Sequence, residues 1–214
     1  MYLNMTGLMK NNLIINYFDE VIPNPKCELI FNNDYELLIA VMLSSQTTDK
    51  RVNSVTKILF KEYNNLEALA RADLYDIIAI IKPIGTFYKK ANNVIKISQK
   101  LLEVGGIVPN DRTFLESLPG VGRKTTNVVL SMLYNEPYLA VDTHVTRVSK
   151  RLGLVNKNDS VLEIEKKLSK RFKKYNLLRL HHQFILFGRY HCMAIHPLCS
   201  ECKLRCICKE KKNG

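Results

Sequence analysis

"LPGVGRKTTNVVLSML", Leu118 to Leu133, is the stretch whose reading decides the fold. A proline and two glycines fall within four residues, and an arginine, a lysine and an apolar-periodic run follow at once. A simple turn needs one glycine, so the second requires another reason. Glycines at 120 and 122 can take positive φ and expose their backbone N–H groups with no Cβ in the way. The helix behind them starts with N–H groups that lack intrahelical acceptors and with the positive end of its dipole. Together these make a cradle for one phosphate. Upstream, "DRTFLESL" reads as a short helix. Helix, tight glycine hairpin, helix holds a DNA backbone without reading any base. A plain αα-hairpin with glycine caps has the same outline, but the pattern L-P-G-V-G-[RK]-K-[ST] is narrower than that.

Outward from the hairpin, helical spacing is everywhere and strict two-residue alternation is nearly absent. Val52, Val55, Ile58 and Leu59 fall on one helical face. Val94, Ile95, Leu101 and Leu102 fit another helix, which Gly105 and Gly106 should end. Ser160 with Glu163 three residues later is a capping-box signature, and Ile164, Leu168 and Phe172 share a face behind it. "LRLHHQFILFGRY" is one more helix, and Pro83 closes "LYDIIAIIK". The chain therefore reads as all-α, with about ten short helices. No internal repeat or low-complexity linker interrupts it.

The 214 residues suffice for one large domain or two small lobes. Apolar residues make up 46% and charged residues 24%, which rules out a disordered or fibrous chain. The formal net charge of +12 favours a polyanionic partner, with DNA or RNA the first candidate. No secretory signal is visible at the start, and the longest apolar run, "LLIAVML" from Leu37 to Leu43, is far too short to span a bilayer. A reducing intracellular compartment is expected, cytoplasmic and in contact with the nucleoid. There, cysteines are poor candidates for disulfides. Five of the six lie in the last 23 residues, which points to a metal. Cys27 stands apart and reads as a core residue.

Two residues carry the chemistry. Lys124 opens the helix behind the hairpin, where it can contact a phosphate or act as a nucleophile. The positive helix end and a desolvated pocket would both disfavour its ammonium form. A neutral amine placed there suits attack on a carbonyl-like carbon. Asp142, in "AVDTHVTRVSKRLGL", is placed to start a further helix. It suits an N-cap, and it also suits stabilising the positive charge that builds on a sugar when a glycosidic bond breaks. In the tail, Cys192, Cys199 and Cys202 precede either Cys206 or Cys208, giving C-x6-C-x2-C-x3-C or C-x6-C-x2-C-x5-C. Four thiolates in that space can hold zinc or a 4Fe–4S cluster. Structural zinc usually shows two close C-x2-C pairs. One pair with two wide gaps suits the cluster better.

The hairpin "LPGVGRKT", the "VDTH" aspartate, the cysteine tail, the "HHQFILFGRY" run and "YELLIAVMLSSQTTD" from Tyr35 to Asp49 together resemble the endonuclease III family. These are DNA glycosylases and apurinic/apyrimidinic lyases of the helix-hairpin-helix superfamily. The resemblance runs from about residue 26 to 208. It implies two helical lobes with DNA between them: a six-helix lobe over 26–136 with the hairpin, and a cluster lobe from 1–25 plus 137–214. It implies Lys124 as the Schiff-base nucleophile and Asp142 as the essential carboxylate. Cys192, Cys199, Cys202 and Cys208 become ligands of one 4Fe–4S cluster. Gln46 fills the gap left by a flipped nucleotide, and Leu118, Gly120, Val121, Gly122, Thr125 and Arg147 join it at the DNA. The implied activity is removal of oxidised pyrimidines from duplex DNA with strand cleavage 3′ to the abasic site, by a monomer with no membrane partner.

Two positions depart from the family pattern. A bulky apolar wedge commonly follows the "IG" of the loop that here reads "KPIGTFYKK"; this chain has Thr86, then Phe87, so the wedge role falls to one of these two. The "MAIHPL" loop lacks the usual lysines and arginines, so that DNA contact is expected to be either weaker or moved to Lys203 and Arg205. Adenine-specific mismatch glycosylases share the hairpin and the cysteine spacing. They typically lack the lysine at position 124 and carry a glutamate where this chain reads Ser45–Gln46.

Overall fold

Short polar side chains start most of the helices. Asn33, Asp73, Asp111, Ser160 and Asn176 each accept a backbone N–H from the first turn that follows them. Residues 5–210 are described by the computed structural model, and they contain eleven α-helices, one short 3-10 helix and no strand. The all-α expectation holds. The Ser160–Glu163 capping box is present in full, with the hydroxyl taking the Glu163 N–H and the carboxylate taking the Ser160 N–H.

The chain divides into two compact units. The hairpin unit is continuous, Cys27–Glu136. It holds α2 (Asp34–Leu43), α3 (Asp49–Glu62), α4 (Leu66–Ala70), α5 (Leu74–Ile81), α6 (Phe87–Glu103), α7 (Arg112–Ser117) and α8 (Arg123–Tyr134). That is seven helices where six were expected. The addition is α4, five residues long, started by the Asn65 side chain and anchored by buried Leu66 and Leu69; it is too short to show a period. The cysteine unit is discontinuous, Met1–Lys26 and Pro137–Gly214, so Lys26 belongs to it. It holds α1 (Gly7–Val21), α9 (Thr143–Arg151), α10 (Val161–Arg171), α11 (Leu177–Tyr190) and the 3-10 helix Lys203–Cys206.

Helix α2 is the axis of the hairpin unit, buried at every position from Glu36 to Leu43. Complete burial of each of its leucines stabilises the unit by about 1.5–3 kcal/mol. No helix among the described residues is long and apolar enough to cross a membrane. On α3 the buried arc is Val52, Val55, Thr56 and Leu59; Ile58, expected on that face, is half exposed because it lies at the edge of the arc. Helix α6 ends at Gly105 and Gly106, both at positive φ, with the Gly106 N–H returning to the Leu101 carbonyl at 2.8 Å. The cysteine unit has its own core, in which Phe18, Phe172, Phe184 and Phe187 are completely buried among Ile164, Leu168 and Leu180.

Candidate nucleic-acid interface and cysteine site

The turn between α7 and α8 closes when the Val121 N–H donates to the Leu118 carbonyl at 3.1 Å. Pro119 and Gly120 occupy its two central positions, and Gly120 has φ +78°. This is the geometry of a type II turn, which requires positive φ at its third residue. Packing demands the same glycine, since a Cβ there would lie 2.4 Å from the Asn93 side-chain nitrogen. Gly122 is different. Its φ is −104°, not positive as expected, and a Cβ on it would meet nothing within 4 Å. Neither backbone nor packing asks for glycine at 122. As N-cap of α8 it supplies no side chain, so the first turn of the helix is left uncapped. That answers the question of the second glycine.

The N–H groups of Lys124 and Thr125 have no acceptor within the helix; Thr126 is the first to reach back, to the Gly122 carbonyl. Leu118 and Val121 are 3% and 4% exposed, so their side chains belong to the core, and the Val121 N–H is spent in the turn. The Leu118 N–H is likewise spent, on the Leu115 carbonyl at 3.1 Å. Lys124 is exposed and Thr125 half-buried. The desolvated pocket expected around Lys124 is therefore absent among the described residues.

Three non-glycine residues of this unit lie at positive φ: Asn135 after α8, and Gln46 and Thr86 in two further loops. Gln46 (φ +56°) stands exposed between α2 and α3, and Thr86 (φ +56°) stands exposed at the start of α6. A β-branched residue in that conformation is a genuine outlier. Phe87 is half-buried with its ring 4.9 Å from that of Tyr88, whereas Thr86 is exposed and its hydroxyl donates to the Gly85 carbonyl at 2.7 Å.

In the cysteine unit Asp142 is the N-cap of α9, its carboxylate accepting the Val145 N–H at 2.8 Å. The segment leading into it is pinned by buried His181, whose Nδ1–H donates to the Ala140 carbonyl at 2.9 Å. Arg147 donates through Nε to the Cys192 carbonyl at 3.3 Å and through Nη2 to the Gly188 carbonyl at 2.7 Å and to His144 Nδ1 at 3.1 Å. His144 accepts that bond as a neutral ring, and burial lowers its pKa. Most of the Arg147 guanidinium thus serves α9 and the cysteine loop. Gly188 permits the approach: a Cβ there would sit 2.9 Å from the His144 Cβ.

Cys192, Cys199, Cys202 and Cys208 line one recess, together with Arg151, Phe187, His191 and Arg205. Cys206 does not line it, and its thiol instead turns to the Lys203 carbonyl. Burial pushes the Cys202 thiol up to about 11, and the neighbouring Cys192, Cys208 and Cys199 add to that. Burial raises Cys208 as well. Four thiolates crowded this way would repel one another, so the deprotonated set calls for bound positive charge. Among the described residues no three metal-binding side chains converge closely enough to share a single ion. Four cysteines are a donor set that either zinc or an iron–sulfur group can use. Arg151 ties the recess together: Nη1 donates to the Met193 carbonyl at 2.7 Å and to the Cys192 sulfur at 3.4 Å, and Nε pairs with Glu210 at 2.9 Å. Lys203, a proposed DNA contact, pairs with Glu20, while Arg205 is exposed.

Sequence reasoning missed Arg151, His181 and Lys90. Each acts on residues about 40 or more positions away, and no local pattern signals that.

The chain is similar to known DNA-repair proteins. Endonuclease III of Bacillus subtilis (strain 168) is 46% identical over 207 residues, 96% of this chain and 94% of that protein. Endonuclease III of Rickettsia felis is 44% identical, covering 92% of this chain and 93% of its own. The structure of a trapped endonuclease III–DNA covalent intermediate superposes with a TM-score of 0.91 at 44% identity, over 97% of both chains. A thermostable thymine-DNA glycosylase shares the fold at a TM-score of 0.78 and 21% identity. Residues 39–174 match the model of the HhH-GPD superfamily base excision DNA repair proteins, and the chain belongs to that superfamily.

Proposed function

We propose that the protein is a bifunctional DNA glycosylase and apurinic/apyrimidinic lyase that removes oxidised pyrimidines from duplex DNA. It is an enzyme of base excision repair, and duplex DNA is its partner. The observation that carries the finer reading is the lysine at the second position of α8, behind a type II turn and an uncapped helix start. A phosphate seated on the N–H groups of that helix start brings the next sugar within reach of Lys124.

The reaction then proceeds from this chain's own groups. Damage weakens stacking, so the lesion leaves the helix at a cost of a few kcal/mol, and Gln46 takes the vacated space. Lys124 reacts as its neutral amine. The amine attacks C1′ as the bond to the base breaks, and the base leaves with the electron pair. Asp142 stabilises the positive charge that develops on the sugar. The sugar opens to a Schiff base, which acidifies the 2′ proton. Loss of that proton expels the 3′ oxygen and cuts the strand 3′ to the lesion. Water then releases Lys124.

Cys192, Cys199, Cys202 and Cys208 would hold one 4Fe–4S cluster, whose metal charge offsets the four thiolates and folds the tail around it. The cluster reading predicts yellow-brown protein. Cys206→Ser should keep that absorbance and Cys208→Ser should lose it; the reverse result would reassign the fourth ligand. The decisive test is incubation with duplex DNA containing thymine glycol in the presence of borohydride. A reduced covalent complex is expected. Binding without a complex and without strand cleavage would leave only a DNA-binding module.

A further inference from the structure

Lys90 has no role in the chemistry above, yet it is a cation with 4% exposure. Its three ammonium protons all have acceptors: the Leu43 carbonyl at 2.9 Å, the Ser45 carbonyl at 2.7 Å and the Thr47 hydroxyl at 3.2 Å. Leu43 ends α2, so the charge sits at the negative end of that helix's dipole. Ser45 and Thr47 flank Gln46 on both sides. Burial lowers the Lys90 pKa, and the three oxygens are the compensation the site supplies.

A buried charge is an expensive way to end a helix when a glycine or asparagine would serve. What the charge secures is the turn. Gln46 is exposed, at positive φ, and makes no packing contribution that would explain its strain. Residues held in such conformations persist only when their surroundings over-determine them. The same helix reaches two other loops. The Lys90 N–H donates to the carbonyl of Thr86, the other exposed positive-φ residue joined to α6, and Asn93 lies against Gly120 in the hairpin turn. Positions 86, 90 and 93 fall on one face of α6.

We propose that Lys90 is the positioning residue of the duplex-probing surface: its ammonium locks the Ser44–Thr48 turn so that Gln46 is presented outward before DNA arrives. This rests on the reading of Gln46 as the residue that fills the gap in the duplex. Such a lock matters where a stacked base pair must be opened. It is dispensable where the sugar is already accessible.

The test compares cleavage of duplex DNA containing thymine glycol with borohydride trapping on a single-stranded oligonucleotide bearing an abasic site. Wild type, Gln46→Ala, Lys90→Met, Lys90→Arg and the double variant Gln46→Ala/Lys90→Met are measured. Lys90→Met keeps the length and loses the donors. It should lose about tenfold on the duplex and no more than about twofold on the single strand. Lys90→Arg keeps charge and donors and should recover most of the loss. Added to Gln46→Ala, the Lys90→Met change should cost little more. Amide exchange at Gln46 and Thr47 should quicken in free Lys90→Met protein. Equal losses on both substrates, an unimpaired Lys90→Met on duplex, or additive losses in the double variant would overturn the proposal. If Gln46→Ala itself cleaves duplex normally, the gap-filling reading fails instead. Should Lys90→Met not fold, Thr47→Val decides: it removes one acceptor and should lose about threefold on duplex alone, while no loss there refutes the lock.

Discussion

The helices of the two units begin differently. In the cysteine unit α1, α9, α10 and α11 all close their first turn with a side-chain oxygen, from Thr6, Asp142, Ser160 and Asn176. In the hairpin unit α2, α4, α5 and α7 do the same, but α3, α6 and α8 do not. These three uncapped helices follow the Gln46 loop, the Thr86 loop and the glycine hairpin. They leave the loops proposed to meet DNA without a cap, and each open helix end keeps donors that a phosphate can take up. The cost is local stability, about 1 kcal/mol for a typical missing cap. The two residues proposed for the chemistry sit one on each side of this divide, Lys124 behind an open helix end and Asp142 as a closed one.

The largest effect should come from the open end. Lys124→Ala should reduce cleavage and trapping by roughly four orders of magnitude or more, with duplex affinity largely kept, because the covalent route is gone. Lys124→Arg should be nearly as inactive, since a guanidinium does not deprotonate near neutral pH. A trapped complex from Lys124→Ala would move the nucleophile elsewhere.

At the closed end, Asp142 has two separable functions. Asn is as good an N-cap as Asp, so Asp142→Asn should melt like the parent protein while base excision falls by roughly two orders of magnitude. Asp142→Ala should in addition lose about 1 kcal/mol of stability, read in a denaturant titration. Equal stability losses in both variants would show that the carboxylate charge, rather than the cap, holds α9.

Closing the open end should invert the trade. Gly122→Asp fits the extended backbone at that position, and its Cβ would meet no atom within 4 Å. It should gain a few tenths of a kcal/mol in stability and weaken binding to damaged and undamaged duplex alike by about tenfold, because a carboxylate occupies the phosphate's donors. Unchanged affinity would remove the phosphate cradle from the account. The smallest effect separates two hydroxyls. Ser160→Ala should cost about 1 kcal/mol, whereas Thr48→Ala, which removes a side chain that caps nothing, should cost less than about 0.5 kcal/mol.

The sequence by itself determined whatever is local. The all-α class followed from periodicity, and the capping box was legible because Ser160 and Glu163 are three residues apart. The Pro119–Gly120 turn, the Asp142 cap and the cysteine spacing are also short-range patterns, set by φ restrictions and by hydrogen bonds that close within a few residues. Tertiary structure decided the rest. It alone showed that Gly120 and Gly122 are glycines for different reasons, one for φ and for Asn93, the other for an empty cap. It turned Leu118 and Val121 inward and engaged Arg147 with Gly188 and Cys192. It also brought Lys90 to carbonyls 45 and 47 residues away and Arg151 to a sulfur 41 residues away. A single buried cation can satisfy acceptors from any segment that passes it, so its partners are chosen by packing, and packing is written across the whole chain rather than beside the residue.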